Sequence, residues 1–269
     1  MSRIATRQRR TIWYDETGAG PAVLLLAGRA WARTSWRPLV TTLAPSFRVI
    51  TMDNRDAGES DPESAPYTMA ELGHDAADFL TALRIRRAHV IGHSMGGMIA
   101  LHLALCAPAL VNRLVLIAAT AGGWSPRTLD FYRQPPEHWI AEPIRRMRAA
   151  YAELSAPGWA EQHPAEIAAL ANLAHGNRLT VDGYMRQQGA IASHDVNARL
   201  PEIAAPALIV HGEQDTLIPP KRAQALADGL PNACLRLLPG GAHLPQLEAA
   251  NVVNAAILDF LEAVTLADE

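Results

Sequence analysis

Cysteine is scarce in this chain. Cys106 and Cys234 are its two thiols in 269 residues, far apart and without metal-type spacing, so no disulfide framework and no zinc motif is encoded. One falls late in a helical pattern and the other in a strand pattern, so both are expected to be buried free thiols. An excess of one charge is also missing. The formal net charge is −3, which gives no electrostatic case for nucleic acid or an anionic membrane as partner. The longest apolar runs fall well short of a membrane span. Residues 1–10 are basic and polar, with no apolar core of signal-peptide length. A cytoplasmic protein is expected, and Met1 argues against removal of a leader. No His/Cys/acid cluster has metal spacing, no Walker lysine follows a glycine-rich turn, and no dinucleotide fingerprint opens the chain. Neither metal nor cofactor is therefore expected. Repeats and low-complexity tracts are absent as well.

What is present is an ordinary globular composition, 49% hydrophobic and 19% charged, on a length that suits one large domain with or without an insertion. Apolar strand-like runs at 11–14, 23–26, 48–52, 88–91 and 114–118 alternate with helical patterns at 69–83 and 95–107. Alternation of this kind implies a mostly parallel sheet flanked by helices, an α/β fold. It stops over 122–197, where Pro126, Pro135, Pro136, Pro143, Pro157 and Pro164 break up amphipathic stretches such as 144–154. It resumes with strands at 207–210 and 235–238 and helices at 220–230 and 251–264. The expected organisation is a core of 1–121 plus 198–269 with a helical cap of 122–197, placed over the carboxyl edge of the sheet where ligands bind.

The most informative segment is Gly92-His93-Ser94-Met95-Gly96-Gly97, between the run at 88–91 and a helix expected to carry Met98, Leu101, His102 and Leu105 on one face. This is G-x-S-x-G in its strand–turn–helix context. The turn strains the backbone of the serine, and small neighbours keep side chains out of it. The hydroxyl then stands above the sheet at the positive end of a helix, a suitable place for a nucleophile that leaves an oxyanion beside it.

A serine hydroxyl needs a base of near-neutral pKa. Of ten histidines, His243 is favoured because Pro239-Gly240-Gly241-Ala242-His243 directly follows the last strand. His93 adjoins the serine but is expected to point away from it. His211 ends a strand. His74, His89, His102, His138, His163, His175 and His194 read as packed, surface or cap residues. An acid must orient the base. Asp215, in the loop after the strand at 207–210, is preferred, with Glu213 as the alternative. The chain order Ser94, Asp215, His243 is that of nucleophile-elbow hydrolases.

With these motifs in order, the chain resembles the α/β-hydrolase fold family from about residue 11 to residue 261. Gly92–Gly97 resembles the family's nucleophile elbow, His211–Asp215 its acid loop and Gly241-Ala242-His243 its histidine loop. Asp53-Asn54-Arg55-Asp56-Ala57-Gly58-Glu59-Ser60 resembles the D-x-R-x-x-G-x-S turn, which the resemblance implies is structural, Asp53 and Arg55 tying loops near the site. One motif departs. Relatives carry His-Gly after the second of these strands, whereas this chain has Ala27-Gly28-Arg29. The oxyanion donor there is a backbone N–H, so the resemblance still implies an oxyanion hole from the amides of Arg29 and Met95. The Arg29 side chain either faces the pocket, where it would select an anionic substrate, or faces solvent.

The overall pattern is most similar to carboxylesterases and 3-oxoadipate enol-lactonase-type serine hydrolases, prompted by 75–119 and by His243–Glu248. It implies cleavage of a small ester or lactone through an acyl-enzyme. Carbon–carbon bond hydrolases, polyketide methylesterases and perhydrolase or haloperoxidase-like members compete. Serine at the nucleophile position argues against dehalogenase and epoxide-hydrolase chemistry. A reading from a different class is a non-catalytic small-molecule-binding protein on the same fold. Trp31, Trp124, Trp139 and Met98 are candidates for an apolar pocket wall or for core. Oligomeric state is not legible in the sequence.

Overall fold

Full-length runs of apolar residues can sit in a sheet only where both faces are covered, and that is how the strands are arranged. The computed structural model describes residues 2–6, 10–123, 142–174 and 176–263. Its strands are β1 (Ser2–Ala5), β2 (Thr11–Thr17), β3 (Ala22–Leu26), β4 (Arg48–Met52), β5 (Ala88–His93), β6 (Val111–Ile117), β7 (Ala207–Gly212) and β8 (Ala233–Leu238). They form one sheet in the order β1-β2-β4-β3-β5-β6-β7-β8. The β1–β2 and β2–β4 pairings are antiparallel, and every pairing from β4 to β8 is parallel. Val23 to Leu26, Val90, Ile91 and Leu114 to Ile117 are completely enclosed, as central strands require.

The helices are α1 (Arg37–Leu43), α2 (Met69–Ala82), α3 (Met95–Cys106), α4 (Pro143–Leu154), α5 (Trp159–Gln162), α6 (Pro164–Asn172), α7 (Val181–Ala192), α8 (Pro220–Gly229), α9 (Pro245–Glu248) and α10 (Ala250–Glu262). Helix α2 opens with a capping box: Glu71 N–H donates to Thr68 Oγ1 at 3.2 Å, and Thr68 N–H donates to Glu71 Oε2 at 2.8 Å. Helix α3 is not one-sided as expected. Met95 to Leu101, Leu103 and Ala104 are all buried, because the sheet covers one side and α2 the other.

The sequence pattern found the central elements and missed β1 and α1. β1 is a short peripheral strand with little burial, and α1 is a seven-residue helix. Both thiols are exposed, against expectation. Cys234 lies on β8, an edge strand that alternates in exposure, and Cys106 is the last residue of α3, where the helix emerges from its cover. Trp124, Trp139, His138 and His175, together with Pro126, Pro135 and Pro136, lie outside the described residues.

Helices α4 to α7 follow β6 and precede β7. The two ends of this segment are joined: Gly122 bridges Asp195, and Val196 N–H donates to Ala121 O at 2.7 Å. Among the described residues no helix is long and apolar enough to cross a membrane.

Two buried ionic knots hold the loops beyond β3 and β4. The Arg33 guanidinium, 3% exposed, meets Asp53, Asp15 at 2.9 Å and Glu59 at 2.9 Å. Asp53 also accepts the Arg33 N–H at 2.7 Å and the Glu59 N–H at 2.9 Å. Arg55 pairs with Asp75 and lies 5.3 Å over the Tyr67 ring. Asp53 and Arg55 thus occupy the tying positions expected of this turn. A buried charge left without its main partner is strongly destabilising. Asp53→Ala is therefore expected to lower the unfolding free energy by about 3–5 kcal/mol. Urea denaturation measures this, and a loss below about 1 kcal/mol would show that Asp15 and Glu59 suffice for Arg33.

Candidate active site

Ser94 sits between β5 and α3 with φ 54° and ψ −118°, a conformation that costs a non-glycine residue about 1–3 kcal/mol. Positions 92 and 96 must be glycine for the turn to close. A methyl group at Gly92 would overlap the Gly96 carbonyl oxygen, and one at Gly96 would overlap the Leu26 carbonyl oxygen. Ser94 N–H donates to Ile117 O at 2.8 Å, and Ser94 O accepts from Gly97 N–H at 2.9 Å. The turn is thereby pinned to β6 on one side and to the first turn of α3 on the other.

The loops after β7 and β8 converge on this serine. His243 Nε2 is 3.0 Å from Ser94 Oγ, and His243 Nδ1 is 2.7 Å from Asp215 Oδ2. The other carboxylate oxygen of Asp215 accepts the N–H groups of Leu217 at 2.9 Å and Ile218 at 2.8 Å. Burial pushes the Asp215 carboxyl up. The adjacent His243 imidazole, then His211 and the Ile218 amide, outweigh this and leave its pKa below the ordinary carboxylate value. An ionised Asp215 accepts, so Nδ1 of His243 carries the proton and Nε2 presents a lone pair to the serine hydroxyl. A base in hydrogen-bond reach of a hydroxyl, oriented by a buried carboxylate, can remove that proton as the oxygen attacks a carbonyl. Glu213, the alternative acid, is exposed.

Two further histidines support His243 without touching the serine. His93 turns to the histidine loop. Its Nε2–H donates to the His243 carbonyl oxygen at 3.0 Å, with ring centroids 5.1 Å apart. Burial, then the neighbouring His243 ring, lower the His93 pKa to about 3. His211 donates to Ile218 O at 2.8 Å and lies 3.3 Å from Asp215 Oδ2. Burial keeps it neutral, below its ordinary pKa. His102 and His194 pair at 3.1 Å away from the serine. His163 contacts Trp159 O at 2.8 Å.

Arg29 lies just beyond β3, and Met95, directly after Ser94, is the first residue of α3. The Arg29 guanidinium lies 4.8 Å over the ring of Tyr184 on α7, so it faces α7. Trp31 is buried between His93 and Tyr151, with ring centroids 5.3 and 5.0 Å away. Met98 is part of the core, 1% exposed.

A model described as the alpha/beta hydrolase fold matches residues 21–250. The chain belongs to that family. A relative named "Putative carbamate hydrolase RutD" from Variovorax paradoxus (strain S110) is 33% identical over 256 residues, covering 91% of this chain and 93% of the relative. One of the same name from Agrobacterium fabrum is 31% identical, with 90% and 93% covered. Among solved structures, a hydrolase from Pseudomonas aeruginosa PA01 superposes with a TM-score of 0.81 at 29% identity, covering 97% of this chain and 98% of that one. The enol-lactonase from Burkholderia xenovorans LB400 gives 0.82 at 25% identity, with 97% and 100% covered. Family membership agrees with the resemblance read from the motifs, and hydrolase activity is the common element of these names.

Several residues around the site carry no motif. Gln187 and Asn177 reach the loop after β3, and Glu248 accepts the N–H groups of Ala242 at 2.5 Å and Ala156 at 2.6 Å. A single polar residue inside a helix or loop has no sequence signal that would single it out. The neutral histidines do have a measurable signature. Each charges near 6.5 when unfolded but resists protonation when folded. Between those values the unfolded state binds more protons, and stability falls as pH falls. Replacing His93 by Gln is expected to reduce that acid slope between about pH 6 and 4 by about one proton, or about 1.4 kcal/mol per pH unit. Urea midpoints across that range measure it. An unchanged slope would mean that His93 is charged in the folded protein.

Proposed function

We propose that this α/β-hydrolase acts as a serine hydrolase on a small ester or lactone, with Ser94 as nucleophile, His243 as general base and acid, and Asp215 as the residue that orients His243. The observation that carries this reading is the continuous relay from Ser94 Oγ to His243 to Asp215, at 3.0 and 2.7 Å, beneath a serine held at positive φ. His243 Nε2 takes the Ser94 proton as Oγ bonds to the carbonyl carbon. The resulting oxyanion is held by the backbone N–H groups of Arg29 and Met95, the latter at the positive end of α3. His243 then delivers the proton to the leaving alkoxide, which in a lactone stays tethered to the acyl group. Water, deprotonated by the same imidazole, releases the acid and restores Ser94. No step requires a metal or cofactor. The segment 122–197 serves as a cap over this edge of the sheet, a role supported by the contacts of α4 and α7 with the loops around the serine.

Carbamates form a second substrate reading, supported by the names of the two relatives above. The same attack on a carbamate carbonyl would leave a carbamoyl rather than an acyl group on Ser94, so the site is compatible with both. The anchored Arg29 cation bears on selectivity. Held over the Tyr184 ring, it suits a substrate with a carboxylate or enolate. Arg29→Ala is expected to raise KM for an anionic substrate about tenfold, the worth of a charge-assisted contact of about 1.5 kcal/mol, and to spare a neutral ester. A uniform effect on both would assign Arg29 to loop packing alone.

Labelling with a fluorophosphonate tests the serine directly. The wild type should label, Ser94→Ala should not, and His243→Ala should label far more slowly. Turnover of whichever ester, lactone or carbamate proves active should fall on the order of a millionfold in Ser94→Ala. A folded wild-type protein that resists the probe would favour the non-catalytic binding reading instead.

A further inference from the structure

Residues 28–31 make a tight turn: Trp31 N–H donates to Gly28 O at 3.2 Å. Arg29 and Ala30 are its central residues. Ala30 has φ 66° while Arg29 is not among the residues with positive φ, which defines a type II turn, a form that favours glycine at the Ala30 position. With alanine there, the relaxed alternative is a type I turn, reached by rotating the Arg29–Ala30 peptide. That rotation would swing the Arg29 carbonyl and the Ala30 N–H, and would loosen the turn whose first peptide, Gly28–Arg29, carries the Arg29 N–H. Something must hold the strained form.

Neither polar atom of Ala30 is held by the sheet. Ala30 N–H donates to Gln187 Oε1 at 2.8 Å, and Ala30 O accepts from Asn177 Nδ2 at 2.9 Å. Gln187 cannot turn round. Its Nε2 donates to the Arg55 carbonyl at 2.9 Å, an oxygen that can only accept, so Oε1 must face Ala30. The side chain is completely buried. Asn177 is fixed in the same way: its Oδ1 accepts the Gly58 N–H at 2.9 Å, which leaves Nδ2 for Ala30. The neighbouring Arg186 pairs with Asp56 at 2.8 and 3.0 Å. Asp56, at φ 60°, is thus also held from α7.

From this we infer that Gln187, with Asn177 as its second anchor, is a positioning residue for the oxyanion-binding backbone. The turn that carries the Arg29 N–H is then steadied at Ala30 by side chains of the segment between β6 and β7. The inference rests on the serine-hydrolase reading. It predicts a selective defect. Loss of Gln187 should weaken what binds as an oxyanion and spare what binds as a neutral ground state.

The test compares a trifluoromethyl ketone, which adds reversibly to an activated serine and leaves an oxyanion, with the matching methyl ketone. In Gln187→Met, which keeps the volume and removes both hydrogen bonds, affinity for the trifluoromethyl ketone should fall about ten- to hundredfold, with the methyl ketone within about twofold. Gln187→Glu keeps an acceptor for Ala30 N–H and should recover most of the discrimination. Arg186→Gln loosens the same helix without touching Ala30. It should lower Tm and leave the ratio of the two affinities unchanged. If Gln187→Met does not fold, Asn177→Ser removes the other bond to Ala30 and carries the same comparison. A ratio unchanged in Gln187→Met, or one shifted equally by Arg186→Gln, would overturn the inference. Fluorophosphonate labelling of each variant runs alongside. Labelling that persists in Ser94→Ala would remove the serine reading itself, a failure distinct from an unchanged ratio in a protein that labels at Ser94.

Discussion

Four neighbouring strands of the sheet are each followed, within about four residues, by a residue that its own backbone disfavours. Ala30 follows β3, Asp56 follows β4, Ser94 follows β5 and Ala118 follows β6, and each has positive φ without being glycine. At about 1–3 kcal/mol each, this is a concentrated local cost. It is borne at the edge where parallel strands present their carboxyl ends and where ligands bind in α/β folds. The packed sheet makes it tolerable. The enclosed strands fix where each loop must start, and the loops then turn sharply where Ser94 and His243 come within hydrogen-bond reach.

Each strained residue is restrained by a different neighbour, and the differences matter. Ser94 and Ala118 are restrained from within the sheet, through Ile117 O and Val210 O. Ala30 and Asp56 are restrained by side chains of the segment after β6, through Gln187, Asn177 and Arg186. Ser94 is thus held by the sheet and the loop after β3 from α7. The histidine loop has the same double attachment. His243 N–H donates to Leu154 O at 3.0 Å at the end of α4, and Glu248 joins Ala242 to Ala156. Burial, opposed by those two amides, holds the Glu248 carboxyl above its ordinary value.

The parts of this arrangement that were legible in the sequence are those with local signals. β4 was expected at its observed limits, because apolar runs in a parallel sheet need no long-range information to be recognised. Ser94 was legible because its turn demands glycines at fixed offsets. Asp215 and His243 were legible because each follows a strand whose neighbours were already placed. Arg33 was not, although Asp53 was. The turn motif contains one half of the ion pair, and its partner lies 20 residues earlier with no pattern of its own. Gln187 was illegible for a stronger reason. It is a single polar residue in a helix, and its partner is a backbone amide 157 residues away. The exposure of Cys234 went the same way, since whether a strand is an edge depends on sheet order.

The division of labour between sheet and inserted helices bears on how such a site accommodates different substrates. Side chains that contact a substrate can change without disturbing the reacting geometry only if the residues that hold that geometry are separate from them. On α7 the two roles sit side by side. Tyr184 carries the Arg29 guanidinium at 4.8 Å, while Gln187, one helical turn along, carries the Ala30 amide. Residues three apart on a helix share a face, so one face of α7 holds both the Arg29 guanidinium and the Ala30 amide. A change at Tyr184 frees a cation, whereas a change at Gln187 frees a peptide. On the proposed serine mechanism, the first would alter which substrates are favoured in the ground state, and the second how well any of them is stabilised once charge develops on the carbonyl oxygen. Under the proposed mechanism, selectivity and turnover would both depend on one surface of one helix, yet through different atoms.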